Sequence, residues 1–246
     1  MSAAYHPDWI VPDWPVPSTV QALITTRPGG VSHGAYASLN LSSRVGDDPI
    51  AVERNLETLR SVLPGDPIWL HQVHGADVVD AESAQPFTSA DASVAHSRHI
   101  VCGVMTADCM PVLLAHKNGH TVGVAHAGWR GMASGVIEAT LARMNVPPAD
   151  TMAYLGPAIS QQEFEVGADV YEAFVNNDNE ASAAFAPAAS GKFHADLYAL
   201  ARRRLARVGV RDVYGGGFCT YTERERFYSY RRDHVTGRMA SLIWIE

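Results

Sequence analysis

The chain has 246 residues, of which 47% are apolar and 18% charged, the composition of a folded globular protein with a full hydrophobic core. Its formal net charge of −7 leaves no basic excess for neutralising the phosphates of a nucleic acid, so nucleic-acid binding is not expected. No run of roughly 18 apolar residues occurs, which excludes an apolar membrane span. The three cysteines, Cys102, Cys109 and Cys219, give no paired disulfide framework. The opening stretch MSAAYHPDWIVPDWPVPS has no basic segment leading into an apolar run, so the chain reads as cytoplasmic and without a signal peptide.

The predicted elements alternate in kind along the chain. VQALITTR is a strand that runs into the Gly-rich loop PGGVSHGAYASLNLSS. DDPIAVERNLETLRSVL is a helix, with an Asp cap, Pro49 in the first turn, and Val52, Leu56, Leu59 and Leu63 on one face. HIVCGVMT and PVLLAH are buried strands, and KNG turns the second into HTVGVAH as a hairpin. GWRGMASGVIEATLARM is a helix directly after that hairpin, followed by the strand TMAYLG and the helix VGADVYEAFV. Residues 176–194, rich in Ala, Ser and Asn, read as a mobile surface excursion. ADLYALARRRLARVG is a helix stopped by Gly209, and VRDVYGGGF, RFYSYRR and MASLIWI supply further strands. Helices mixed with hairpins and crossovers predict a single α+β domain over residues 1–246, with mixed β-sheets packed against helices.

Three groups carry chemistry: HQVHG (71–75), TADC (106–109) and VAHAGWRG (124–131). His126 ends a strand and is followed by a Gly-containing turn into a helix, where backbone N–H groups and Arg130 favour an anion. Cys109 lies at the join of two strands, seventeen residues before His126, so a hairpin can bring them together. A thiolate with two imidazoles suits zinc and leaves a fourth tetrahedral position open. On these residues alone the metal ligand competes with a buried structural cysteine, and with a nucleophile in a Cys109–His126–Asp108 triad.

The segments TTRPGGVSHGAYASLNL, HQVHGADVV, TADCMPVLL, AHAGWRG, FEVG and FYSYRRDHVTGRMASLIW together resemble the YfiH-type family. That family is also known as laccase-domain, polyphenol-oxidase-like, or zinc-containing purine nucleoside phosphorylase. The resemblance implies a catalytic zinc held by His74, Cys109 and His126, with His71 beside it. It implies phosphorolysis of adenosine, inosine and S-methyl-5′-thioadenosine, and deamination of adenosine, at a site for a purine nucleoside and phosphate. Arg27, beside the Gly29–Gly30 turn, and Arg130 are candidates for holding phosphate. Asn40 is a candidate for a sugar hydroxyl or for capping a turn. Asp108 is a candidate for orienting His126 or its water, or for capping local backbone.

Two other enzyme readings share these ligands. One is an amidohydrolase editing peptidoglycan precursors, removing L-serine from the UDP-muramoyl precursor, since relatives are implicated in that reaction. The other is a copper-dependent polyphenol oxidase, with Met110 completing a His₂Cys set. The chain has no H-x-H pair of the kind a trinuclear copper cluster needs. Cys102 and Cys219 read as packing residues, and Phe218, Tyr221, Phe227 and Tyr230 as base-stacking or core aromatics. Arg231 and Arg232 are expected to line the pocket or cross-link the C-terminal strand. The oligomeric state, monomer or homodimer, is left open.

Overall fold

Alternate residues of the long strands serve two different cores, and that alternation builds the molecule. The computed structural model describes residues 5–246. In chain order the strands are β1 (Val20–Ile24), β2 (Pro67–Ile68), β3 (Val78–Asp80), β4 (Ala92–Ala95), β5 (Val101–Thr106), β6 (Met110–His116), β7 (Val122–Ala127), β8 (Thr151–Leu155), β9 (Glu165–Val166), β10 (Phe185–Pro187), β11 (Phe193–Ala195), β12 (Asp212–Gly215) and β13 (Met239–Ile245). The α-helices are α1 (Pro49–Arg60), α2 (Trp129–Ala133), α3 (Val136–Met144), α4 (Ala168–Val175), α5 (Leu197–Arg207) and α6 (Tyr230–Asp233).

A four-stranded sheet has the order β1-β13-β5-β2 and a six-stranded sheet the order β12-β8-β6-β7-β4-β3. Both mix parallel and antiparallel pairs: β5 pairs antiparallel with β13 and parallel with β2, while β8 pairs antiparallel with β6 and parallel with β12. On β6, Leu113 and Ala115 pack towards the four-stranded sheet, meeting Cys102, Val104 and Ile243. Their neighbours Met110, Val112 and Leu114 face the other way, against Ile137, Leu141 and Leu200 of the helices. On β13, Leu242 and Trp244 turn towards Leu59 of α1. The period-2 geometry of a strand thus yields four layers, with helices outside two packed sheets. None of the described helices is long and apolar enough to cross a membrane.

The hairpin expected around Asn118 forms, with β6 and β7 antiparallel in register from Met110↔Ala127 to Ala115↔Val122. Helix α1 starts where its cap predicts, Asp48 accepting a hydrogen bond from Ile50 N at 3.0 Å. Three expectations are corrected. The helix predicted over 128–144 is two pieces, because Gly135 (φ 91°) takes a left-handed conformation between α2 and α3. Residues 176–194 are no loose excursion: Ala181, Ala184 and Phe185 are buried, and β10-β11-β9 form a small sheet there. RFYSYRR is not a strand. Ser229 caps α6, and Arg232 gathers the carbonyls of Thr220, Tyr221 and Phe227, so the chain wraps around one guanidinium.

Candidate metal centre

The connection from β5 to β6 carries the chain from one sheet to the other, and Cys109 is its last residue. Because Met110 pairs with Ala127, the register sets Cys109 beside Gly128, two positions from His126 on the facing strand. A Cβ at Gly128 would stand 2.7 Å from Cys109 Sγ, so the sulfur needs the missing side chain. His74 arrives from the β2–β3 connection in a left-handed conformation (φ 61°). The ligand atoms of His74, Cys109 and His126 lie within 4.8 Å of one another. Cys109 Sγ is 3.9 Å from His74 Nε2, and the two imidazole rings meet edge to face at 4.8 Å between centroids.

Asp91, just before β4, organises this cluster. The β4–β7 pairing puts it opposite His126, whose N donates to Asp91 O at 2.7 Å and whose Nδ1 lies 2.8 Å from Asp91 Oδ1. The same carboxylate accepts from Val73 N, His74 N and Gly75 N at 3.1, 2.9 and 2.7 Å. One buried acid therefore fixes the loop of one ligand and the ring of another. With Nδ1–H on Asp91, His126 turns its Nε2 towards the cluster, and loss of the Nε2 proton would leave that nitrogen oriented to ligate metal. Burial pushes the Cys109 thiol up, but the imidazoles of His126 and His74 outweigh it and bring the pKa down to about 6. Burial likewise favours a neutral His126, yet Cys109 and Asp91 raise it to about 9. A thiolate and two oriented imidazoles form a donor set that fits zinc or copper.

The cluster lies on the wall of a cavity of about 680 Å³, within the range of small-molecule sites. Arg44, Arg130, Arg231 and Arg238 line it, with Phe164 and Tyr230 offering aromatic faces. His71, Asp108 and Arg130 line this cavity. Arg130 lies over the Trp129 ring at 4.3 Å. Helix α2, in whose first turn Arg130 lies, has five residues, too few for the dipole-based anion site expected from the sequence. Asp108 does not touch His126. It accepts from Thr220 Oγ1 and Arg231 N, both at 2.6 Å, leaving Asp91 as the residue that orients the imidazole and giving no support to the alternative Cys109–His126–Asp108 triad.

Arg27 lies in a separate hollow with Arg224 and Asp233, donating to the carbonyls of Ala37 and Arg224 at 2.6 and 3.0 Å. Asn40 is fully buried, is not among the residues lining the cavity, and hydrogen-bonds Ser42, Asp47 and the backbone N of Arg238. Met110 is buried in the core on the helical side of the sheet and lines no part of the cavity. Phe227 is buried, and Cys102 packs between the sheets with a pKa pushed up to about 12 by burial.

Two packed mixed sheets that deliver one cysteine and two histidines to an arginine-lined cavity define an α+β protein with a candidate metal site. The family described as multi-copper polyphenol oxidoreductase laccase matches residues 21–246, and the chain belongs to it. A Pseudomonas aeruginosa protein named purine nucleoside phosphorylase is 50% identical over 239 residues, 97% of this chain and 98% of its own. Escherichia coli (strain K12) purine nucleoside phosphorylase YfiH is 51% identical over 240 residues, covering 96% and 98% of the two chains. The crystal structure of a Neisseria meningitidis protein aligns with a TM-score of 0.94 at 55% identity, over 97% of this chain and 99% of that one. YlmD from Geobacillus stearothermophilus aligns at 0.86 and 29% identity, over 93% of each. The expected single domain of mixed sheets and helices is thus the fold of solved relatives.

Proposed function

We propose that this protein is a zinc-dependent purine nucleoside phosphorylase, with His74, Cys109 and His126 as the ligands. The observation that carries the reading is a three-donor cluster, its ligand atoms within 4.8 Å of one another, on the wall of an arginine-lined cavity of nucleoside size. The names of relatives about half identical over nearly the whole chain support the reaction class. When bound, the ion supplies Lewis acidity at a position that the protein ligands leave open.

The residues of the chain do the rest. Asp91 keeps the His126 proton on Nδ1 and so keeps its other nitrogen available. Phe164 and Tyr230 provide flat apolar surface for a purine, and the cationic wall holds phosphate against the ribose. Phosphorolysis breaks the bond between ribose C1′ and the base, forms one from C1′ to a phosphate oxygen, and releases the base with a proton. Adenosine, inosine and S-methyl-5′-thioadenosine are the proposed substrates, with adenosine deamination as a second activity at the same centre.

The test combines metal analysis of the purified protein with chromatographic assay of adenosine and inosine, with and without phosphate. Phosphate-dependent release of adenine and hypoxanthine is expected, together with about one zinc per chain, and both fall sharply in Cys109→Ser and His74→Ala. Release of L-serine from a UDP-muramoyl-L-serine substrate without any nucleoside turnover would replace this reading with the amidohydrolase one. Full copper occupancy with phenol oxidation would replace it with the oxidase one.

A further inference from the structure

None of the four arginines lining the cavity pairs with a carboxylate among the described residues. Arginines elsewhere in the molecule do: Arg60 bridges Glu53 and Asp66, Arg143 bridges Asp80, and Arg203 bridges Asp178 and Glu180. Arg44 is held instead by a neutral partner, its Nη2 2.9 Å from His71 Nε2. A guanidinium can only donate, so Nε2 must accept and the imidazole proton sits on Nδ1. An arginine oriented by a neutral acceptor keeps its whole charge for something else. Its Nε and Nη1 donate to no described protein atom.

Arg238 shares this wall. Its Nη1 donates to the carbonyls of Thr236 and Gly237, and its Nε and Nη2 have no described protein partner. Burial lowers the pKa of its guanidinium, and the charges of Cys109 and Asp108 near it only partly offset that effect. Asn40 ties the two arginines at their roots. Its Oδ1 accepts from Ser42 N and from Arg238 N, both at 3.0 Å, and its Nδ2 donates to Ser42 O at 3.1 Å and Asp47 Oδ2 at 2.9 Å. Ser42 Oγ in turn accepts from Arg44 N at 3.3 Å. A buried amide thus joins the loop that carries Arg44 to the residue just before β13, Arg238, and both side chains reach one cavity.

We propose that Arg44, oriented by His71, and Arg238 form a subsite for a phosphoryl dianion, either free phosphate or a phosphate ester on the nucleoside. Planar guanidinium forks match phosphate oxygens in pairs, which a lysine ammonium does not. The subsite deepens the phosphorylase reading and rests on it only for the identity of the reaction.

The experiment is calorimetric titration of inorganic phosphate, adenosine 5′-monophosphate and adenosine into the metal-loaded protein as purified. The variants are Arg44→Gln, His71→Gln, His71→Glu and, on the outer surface of α1, Arg54→Gln as a charge-matched control. Arg44→Gln is expected to weaken phosphate or the monophosphate by about tenfold or more, the loss of a charge-assisted contact. Adenosine affinity should stay the same. His71→Glu sets a carboxylate on Arg44 and should weaken binding as much, while His71→Gln, which still offers an acceptor, should stay close to wild type. A response confined to phosphate identifies the co-substrate, and one confined to the monophosphate identifies an ester. Equal affinities in wild type and Arg44→Gln, or an equal loss in Arg54→Gln, overturn the subsite. Protein that binds phosphate through Arg44 but releases no base keeps the subsite and removes the phosphorylase reading. Phosphate-dependent base release with the same phosphate KM in wild type and Arg44→Gln does the reverse.

Discussion

Asp91 and His126 meet twice across the β4–β7 pairing, once through backbone at 2.7 Å and once through side chains at 2.8 Å. The double contact fixes both where the ring is and which of its nitrogens faces Cys109. Asp91→Asn keeps the shape but replaces one acceptor with a donor, so the N–H groups of Val73, His74 and Gly75 compete for what remains. Metal affinity is expected to fall about 10–100-fold, the usual cost of removing a histidine's outer partner. A competition titration against a chromophoric chelator measures this, with circular dichroism checking that the fold persists. Unchanged affinity would remove Asp91 from the centre.

The same carboxylate links the centre to acid stability. Burial alone would raise its pKa, but the bond from His126 and the N–H groups of Gly75 and Val73 outweigh burial and lower it below 3.8. A lowered folded value means that the contribution is complete above the ordinary carboxylate pKa and disappears as pH falls through the folded one. On the acid side, metal-free wild type is therefore expected to lose stability relative to Asp91→Asn as pH falls below about 4. Denaturant midpoints at stepped pH measure it, and a gap that is constant down to pH 2 contradicts the link.

Gly128 is the second structural dependence. Alanine there would put a methyl 2.7 Å from Cys109 Sγ and 3.4 Å from His74 Cδ2. Its backbone (φ −62°, ψ 162°) accepts any residue, so the cost is all contact. Gly128→Ala is expected to lower stability by about 1–3 kcal/mol through overpacking. The Cys109–Co²⁺ charge-transfer band should weaken in the cobalt-substituted protein. Wild-type cobalt spectra in this variant would show that the sulfur does not need the space.

Much of this was legible where the cause is local. The Asp48 cap, the KNG turn and the period-2 strands are set within a few residues of each other, and they stand where the pattern puts them. Cys109 and His126 follow from the hairpin register, but His74 needed the resemblance, because nothing in its neighbourhood separates it from His71. Asp91 left no local signal. It is 17 residues from His74 and 35 from His126, and only the β4–β7 ladder joins them. Alternating aromatics in RFYSYRR imitate a strand, whereas their order comes from the Arg232 guanidinium binding carbonyls behind it. Arg44 and Arg238 were equally hidden, since the amide that joins their backbones, Asn40, lies 198 residues before Arg238.

The segment 176–194 holds its place partly through charge. Asp178 pairs with Arg203 and Arg207, and Glu180 also reaches Arg203. The Arg203 bond, with the charges of Arg203 and Arg207, holds the Asp178 carboxyl down at about 2 against the opposing effect of desolvation. Its contribution is present above pH 3.8 and vanishes as pH falls towards 2. Arg203→Gln is expected to speed amide hydrogen exchange over residues 178–195 at neutral pH and to leave exchange in β6 and β7 unchanged. Equal rates in variant and wild type would assign the order of this segment to Phe185 and its buried neighbours alone.

Cys109 gives the most direct reading of the metal-free centre. Its thiol, brought to about 6 by the flanking imidazoles, is largely thiolate at pH 7, whereas Cys102 at about 12 is not. Thiolate is the reactive form, so alkylation of chelator-treated protein by iodoacetamide should rise with pH and reach half its maximum near pH 6. The modified residue, located by peptide mass spectrometry, should be Cys109, and Cys102 should stay unlabelled until the protein unfolds. Restoring zinc should block the reaction, because the metal occupies the sulfur lone pair that attacks the reagent. In His126→Ala the midpoint should move up towards that of an ordinary thiol, since both the charge and the hydrogen bond from the ring are gone. A midpoint near pH 8–9 in wild type, or zinc-independent labelling, would mean that sulfur and imidazoles do not act as one donor set.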